Sequence, residues 1–371
     1  MKKRGKILIF HTIIAPYRID FFNALNEKYD IKVYLTRNNL AGQTFDMQKI
    51  EEQLTFKPIY FSALNTDGGK TPKPGALIEE FNPDLVLVSE CGIIPLKVIM
   101  HKWIKKQSYK IISIIDDSYN MVVEGNHFSI KHRIAEQILI PFFDEIINVE
   151  DRVTDYFKEK YSKGIFFPII RKDDKMRQMY ERVIPISEQI ICQHNLVGKK
   201  VMLYVGRMIA LKNIPRIIEI FNSLNLEDAI FVIVGSGPEE SHWKQVAGKS
   251  KNIIFTGRLE GDSLYAWYNV ADVFCLPSWQ EAFGAVTNEA LLAGCFSLVS
   301  NKAGSQSLIQ NGINGFTLDP FDDKQIAEHI INAFNKVSGI NSNKITLKRN
   351  LMPEPFSSAM DRVYNRISTM I

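Results

Sequence analysis

Short, nearly continuous runs of Ile, Val, Leu and Phe recur along this chain, each followed by a longer segment with helical periodicity. In the first half they fall at residues 7–10, 31–35, 85–88, 111–115 and 145–149. In the second half they fall at 201–205, 230–234, 253–255, 273–276 and 296–299. A strand that is apolar on both sides must be covered on both sides, which is the situation of a parallel sheet sandwiched by helices. Residues 213–224 show the intervening pattern. Ile214, Ile217, Ile218, Phe221 and Leu224 share one helical face, Pro215 is tolerated in the first turn, and Asn213 stands in the N-cap position. A second helix is predicted over 286–293, stopped by Gly294. The order β-α-β-α, run through twice, predicts an α/β fold of two doubly wound, Rossmann-like parallel-sheet domains facing a cleft.

The domain boundaries follow from where the alternation pauses. Residues 169–198 are charged and broken by Pro185, so the reading is an N-terminal domain over 1–168, an interdomain linker or helix over 169–198, and a C-terminal domain over 199–354. The last stretch, 355–371, turns helical after two prolines and is expected to cross back and complete the first domain. A length of 371 residues accommodates two such domains, and 23% charged residues with 46% hydrophobic ones exclude a disordered chain. Cys91, Cys192, Cys275 and Cys295 lie far apart with no C-x-x-C pair, which argues against structural zinc and a disulfide framework. The basic and apolar start is read as a first strand rather than a leader. His11 interrupts the apolar run, and Pro16, Tyr17, Arg18 and Asp20 stand where a cleavage site needs small residues. The expected location is therefore cytoplasmic.

Charge is unevenly placed. Residues 1–200 hold 30 Lys and Arg against 25 Asp and Glu, whereas 201–371 hold 15 against 16. The excess is too weak for a nucleic-acid binder and fits an anionic partner or an ordinary solvated surface.

Two stretches carry chemistry. After the strand at 201–205, Gly206 leaves room for close approach, and Arg207 and Lys212 flank the start of the next helix, a place for a phosphate or diphosphate. After the strand at 273–276, Glu281 falls in a loop, Phe283 and Gly284 follow, and Glu289 falls on the next helix. Amides near that helix start meet oxyanions, and the two carboxylates accept hydrogen bonds from hydroxyls, so the pair is suited to grip a sugar and a ribose. Either stretch alone also reads as solvated surface.

Taken together, strand–Gly-Arg-x4-Lys, then Glu-x-Phe-Gly-x4-Glu, then Ala303-Gly304 and Asn311-Gly-x-Asn-Gly315, resembles retaining glycosyltransferase family 4, of the bacterial surface-polysaccharide type. The resemblance is clear over 201–319. It implies the GT-B fold and transfer of a sugar from a nucleotide-sugar donor to a glycan or lipid-linked glycan acceptor, with retention of anomeric configuration. By position it assigns Arg207 and Lys212 to the donor diphosphate, Glu281 to the transferred sugar, and Phe283 and Gly284 to backbone donation. Glu289 goes to the ribose, and Arg258 and Leu259 to the border of the nucleobase. It implies no cofactor and no metal, the two cations standing in for Mg²⁺. A UDP-sugar is the first expectation for the donor and GDP-mannose the second.

The chain also departs from that pattern. The loop after the first strand holds His11 and Arg18 rather than a glycine-rich turn, and Asp116-Asp117 follows the strand at 111–115 where relatives often place a histidine. Asp116 is taken as a site residue that binds a sugar hydroxyl or orients the acceptor, and His11 and His127 as further acceptor-side candidates. Ser307 stands in place of a glutamate of the Gly-Gly-x-x-Glu turn. Residues 95–106 mix Val98, Trp103 and Ile104 with Lys97, Lys102, Lys105 and Lys106, which reads either as a helix covering the sheet or as a peripheral contact with the anionic inner face of a membrane. Two other functions share the architecture: a nucleotide-sugar 2-epimerase and a non-catalytic nucleotide-sugar-binding protein. A nicotinamide dehydrogenase is disfavoured, because Gly235-Ser-Gly237 lacks the third glycine of the dinucleotide fingerprint.

Overall fold

The first strand, β1 (Lys6–His11), is buried along nearly its whole length and lies in register between two others, Ile7 beside Ile31 on one side and Leu85 on the other. A computed structural model describes residues 5–37, 46–61, 73–124 and 130–371, and divides the chain into two units, Met1–Ile170 with Ser357–Ile371, and Arg171–Phe356. Among the described residues, the first unit holds seven parallel strands: β1, β2 (Asp30–Leu35), β3 (Ile59–Tyr60), β4 (Leu85–Ser89), β5 (Lys110–Ile115), β6 (Glu145–Asn148) and β7 (Ile165–Phe166). They lie in the order β3-β2-β1-β4-β5-β6-β7. The second unit has six, all parallel: β8 (Lys200–Val205), β9 (Ala229–Val234), β10 (Ile253–Gly257), β11 (Val273–Leu276), β12 (Phe296–Ser300) and β13 (Gly315–Leu318), in the order β10-β9-β8-β11-β12-β13.

Each sheet is doubly wound. In the second, Val201, Leu203 and Val205 of β8 enter one apolar core and Met202 and Tyr204 enter another, so alternate residues face opposite layers of helices. The winding reverses between β1 and β4 in the first unit and between β8 and β11 in the second. Crevices beyond the carboxyl ends of strands open at such reversals, and this fixes where each unit can hold a ligand.

Three short strands escape the sequence pattern. β3 and β7 are two residues long at sheet edges, and β13 opens on a glycine. Over 169–198, expected as an interdomain linker or helix, the chain is largely helical. Residues from Arg171 onward belong to the second unit and form two helices, Asp173–Arg182 and Ile184–Gln193. Met176, Tyr180 and Ile191 of these helices, with Val183 between them, lie in the core with the residues of β8. The charged residues that suggested a linker are the outward faces of these helices, and Pro185 stands at a helix start, where its missing N–H costs nothing.

The helix Phe356–Ser368 packs in the first unit through Ala359, Met360, Val363 and Ile367. Arg366 Nε donates to Glu145 at 2.6 Å and Arg362 Nε to the Phe166 carbonyl at 3.0 Å, tying the helix to β6 and β7. Asn213 precedes its helix as expected but does not cap it. Its backbone is left-handed, φ 57°, and the side chain donates to the Pro320 carbonyl at 3.0 Å instead.

Candidate functional site

At the reversal in the second unit, two loops from distant parts of the sequence meet. The first leaves β8 at Gly206 and turns through a short 3-10 helix, Ala210–Lys212. The second leaves β11 and runs to the helix Val286–Ala293. The Trp279 amide donates to the Leu211 carbonyl at 2.9 Å, so the loops are joined through their backbones. Lys212 Nζ and the Glu281 carboxylate form an ion pair, largely shielded from solvent, with the Ser278 hydroxyl 3.5 Å from the same carboxylate oxygen. The structure therefore brings together two of the residues singled out from the sequence. Arg207 lies exposed on the same loop, its carbonyl held by the Tyr204 hydroxyl at 3.0 Å.

The second loop is also pinned from behind. The Glu281 amide donates to the Lys302 carbonyl at 3.2 Å, and the Ser305 amide donates to the Phe283 carbonyl at 2.8 Å. Gly284 has φ 91°, and a Cβ there would lie 2.4 Å from the Leu276 side chain, so this turn requires glycine. Among the described residues, the amides of Phe283 and Gly284 donate to no protein acceptor, leaving two donors just ahead of the helix start. Ser307, the departure from the glutamate pattern, donates its hydroxyl to the Gly304 carbonyl at 2.9 Å and orders the turn from inside.

Glu289 takes a different set of partners from Glu281. The Tyr268 hydroxyl donates to its carboxylate at 3.0 Å, and the Tyr180 hydroxyl donates to its carbonyl at 2.8 Å. Burial raises the Glu289 pKa, against the opposing pull of Arg171 and the Tyr268 hydrogen bond. Arg171 itself is buried, with its amide on Asn288 Oδ1 at 2.9 Å, and sequence reasoning missed it because it falls in the stretch read as a linker. Arg258 is exposed and pairs locally with Glu260, while Leu259 packs against the apolar core. The two basic residues of the motif and the two glutamates thus stand on neighbouring elements of one unit. Arg258 is turned to its own strand-end loop.

Asp116 lies in the other unit, at the end of β5, where the fully buried Arg18 pairs with it. Asp117 beside it is desolvated and surrounded by Glu90, Asp116 and Glu136, which pushes its carboxyl up to about 8. His11 is buried, which lowers its pKa; in the neutral ring Nδ1–H donates to the Ile13 carbonyl at 2.8 Å. His127 lies outside the described residues. A crevice of about 230 Å³ opens at this unit's own reversal, lined by His11 and Thr12 after β1, Thr36 and Arg37 after β2, and Ser89 and Glu90 after β4. Glu90 adopts a left-handed backbone, φ 56°, uncommon for a non-glycine residue and often met at ligand clamps. The only sequence signal for it was its place, directly after a switch-point strand.

The Asp117 environment has a measurable consequence. An acid raised from its ordinary 3.8 to about 8 binds a proton in the native chain that the unfolded chain has released across that window. Stability is therefore full below the unfolded pKa and falls as pH rises toward about 8. Melting temperature followed from about pH 6 to about pH 9 is expected to drop in the native chain and to drop less in Asp117→Asn.

Two parallel-sheet, Rossmann-like units of this kind match the GT-B class of fold. Residues 187–342 match the family described as Glycosyl transferases group 1. An uncharacterized glycosyltransferase of Methanocaldococcus jannaschii is 33% identical over 170 residues, 42% of this chain and 44% of that protein. The lipopolysaccharide 1,2-N-acetylglucosaminetransferase of Salmonella typhimurium is 30% identical over 149 residues, 37% of this chain and 38% of that protein. The matched segments span less than half the length of either relative. Among solved structures, Anabaena HepE in complex with UDP superposes with a TM-score of 0.73 at 16% identity, covering 98% of this chain and all of that one, a likeness of fold.

Proposed function

We propose that the chain transfers a sugar from a nucleotide-sugar donor to a glycan or lipid-linked glycan acceptor, with retention of configuration and without a metal, in bacterial surface-polysaccharide synthesis. The observation that carries this reading is the Lys212–Glu281 pair, formed across 69 residues of sequence at the switch point of the second unit. A cation there meets a departing diphosphate, and a carboxylate beside it accepts from the hydroxyls of the sugar being moved. Arg207 adds a second cation on the same loop, and the unpaired amides of Phe283 and Gly284 add donors. The reading needs no covalent nucleophile. Charge stabilisation and positioning do the work, the leaving group being held by fixed positive groups as the bond to the sugar lengthens.

Glu289 is assigned to the ribose hydroxyls, with Tyr268 and Arg171 holding its carboxylate in place. Gly206 lets the donor approach the end of β8, and Arg258 and Leu259 border the base. On the acceptor side, Asp116 orients the incoming hydroxyl, and Arg18 keeps it in position. A uridine nucleotide is the first assignment for the donor, in line with the UDP bound by the Anabaena structure, and GDP-mannose the second.

Calorimetric titration with UDP, GDP and ADP tests the donor half directly. UDP is expected to bind most tightly, and Glu289→Ala to weaken it roughly 10- to 100-fold, the worth of hydrogen bonds to a charged group. Equal affinity for all three, or a nucleotide affinity that ignores Glu289→Ala, refutes the assignment. Product analysis separates transfer from 2-epimerisation, since an epimerase converts its substrate without any acceptor.

A further inference from the structure

The first unit presents an apolar outer face that its own core leaves uncovered. The helix Ile93–Ile104 sends Val98 and Pro95 inward and turns Ile93, Leu96, Met100, Trp103 and Ile104 to solvent, at spacings that place them along one stripe. Trp103 is 83% exposed and Ile104 62%. On the next crossover, the helix Ile130–Leu139 and the turn that follows it expose Ile134, Ile138 and Phe142. Both crossovers contribute to the same core, through Val98 on one and Leu139 and Ile140 on the other, so their outward stripes lie on the same side of the sheet. Most of the large hydrophobic side chains that the described residues expose are gathered on these two elements. Large apolar side chains exposed together on one side of a sheet mark an interaction surface.

We infer that this face docks on an anionic lipid bilayer. The charge around it selects that occupant. Residues 91–115 contain five lysines and no Asp or Glu. Lys102 and Lys110 are held by Asp144, and Lys105 by Glu79. Lys97 and Lys106 have no ion-pair partner among the described residues. An apolar stripe with a tryptophan near its end and lysines beside it is the arrangement that lies in a membrane interface, the ring at headgroup level and the ammonium groups on lipid phosphates. A second copy of the chain is disfavoured, because a two-fold contact would set two lysine groups against each other. No helix among the described residues is long and apolar enough to cross a membrane, so the contact is one of surface. The helix also begins in the lining of the crevice at Glu90, through Ile93, Ile94 and Pro95. A lipid-borne acceptor would reach that crevice from the bilayer side. This last step rests on the transfer reading; the docking face itself does not.

Flotation of the full chain with vesicles decides the matter, using phosphatidylcholine alone and phosphatidylcholine with about one third phosphatidylglycerol, at low salt. The native chain is expected to float with the anionic vesicles only. Trp103→Ser with Ile104→Ser should weaken binding at least about tenfold, and Lys97→Gln with Lys106→Gln about fivefold per lysine, with the melting temperature unchanged in both because these side chains are exposed. Nucleotide affinity, measured on the same variants, should not move, so that loss of docking and failure of the transfer reading are seen separately. Absence of flotation, or flotation indifferent to the Trp103 and Ile104 changes, overturns the proposal. So does a dimer in lipid-free solution that the same changes dissociate, which would make a second copy the occupant.

Discussion

Lys212→Ala is expected to lower turnover by about a thousandfold, the loss typical when one fixed group that stabilises transition-state charge is removed. The chain should keep its fold. Lys212 ends a short 3-10 turn, and its ammonium group holds Glu281 rather than any part of the apolar core. Removing it leaves a partly buried carboxylate without its cation, a cost of about 1 kcal/mol and a few degrees of melting temperature. Glu281→Gln keeps hydrogen-bonding capacity at the sugar but frees the lysine, so a smaller loss is expected, about a hundredfold. Because the two side chains touch, their effects should not add. Lys212→Ala combined with Glu281→Gln is expected to be little worse than Lys212→Ala alone. Single-turnover rates with a nucleotide-sugar and melting curves for all three variants check this. A Lys212→Ala variant that turns over at the native rate would remove the pair from catalysis.

The loops that carry this pair were legible in the sequence for a physical reason. In a parallel sheet the chemistry sits on loops after buried strands, buried strands are the strongest local pattern, and so the position of a loop can be read even when its shape cannot. Gly206, Arg207 and Lys212 follow β8, and Glu281 to Glu289 follow β11, the two strands that flank the reversal. What stayed hidden is whatever depends on burial of charge. Arg171 is a buried guanidinium group, and nothing in its sequence neighbourhood distinguishes it from a surface arginine. The stretch 169–198 was legible only as a linker or helix, for the converse reason. Its polar residues are frequent enough to look like a linker, yet Met176, Tyr180, Val183 and Ile191 suffice to bury one face of two helices. Asn213 shows the same limit at the scale of one residue. Its position before a helix was legible, but its left-handed backbone turns the side chain to Pro320.

Gly235→Ala is expected to be the most destabilising single methyl group that can be added near the site. Gly235 follows β9 with φ 145°, and a Cβ built there would lie 1.9 Å from the Gly206 carbonyl oxygen. Both backbones are fixed on either side, the Gly235 amide on the Gly257 carbonyl at 2.9 Å and the Gly206 amide on the Val234 carbonyl at 3.0 Å. The methyl group has no flexible neighbour to displace. Relief requires a backbone shift of more than an ångström at the residue next to Arg207, or the loss of a strand-end hydrogen bond. Overpacking and the unfavourable backbone region together place the cost at about 3–5 kcal/mol, or roughly ten degrees of melting temperature. Gly248→Ala separates the two contributions. Gly248 also has a positive φ, 61°, but nothing lies within 4 Å of its Cβ position, so only the backbone term of about 1 kcal/mol is expected. The difference between the two variants then measures how tightly the loops after β8 and β9 are packed. Nucleotide affinity, lost in Gly235→Ala and kept in Gly248→Ala, would tie that packing to the placement of Arg207. Equal stability losses would mean that the Gly206 loop yields easily and that its geometry is set by something other than Gly235.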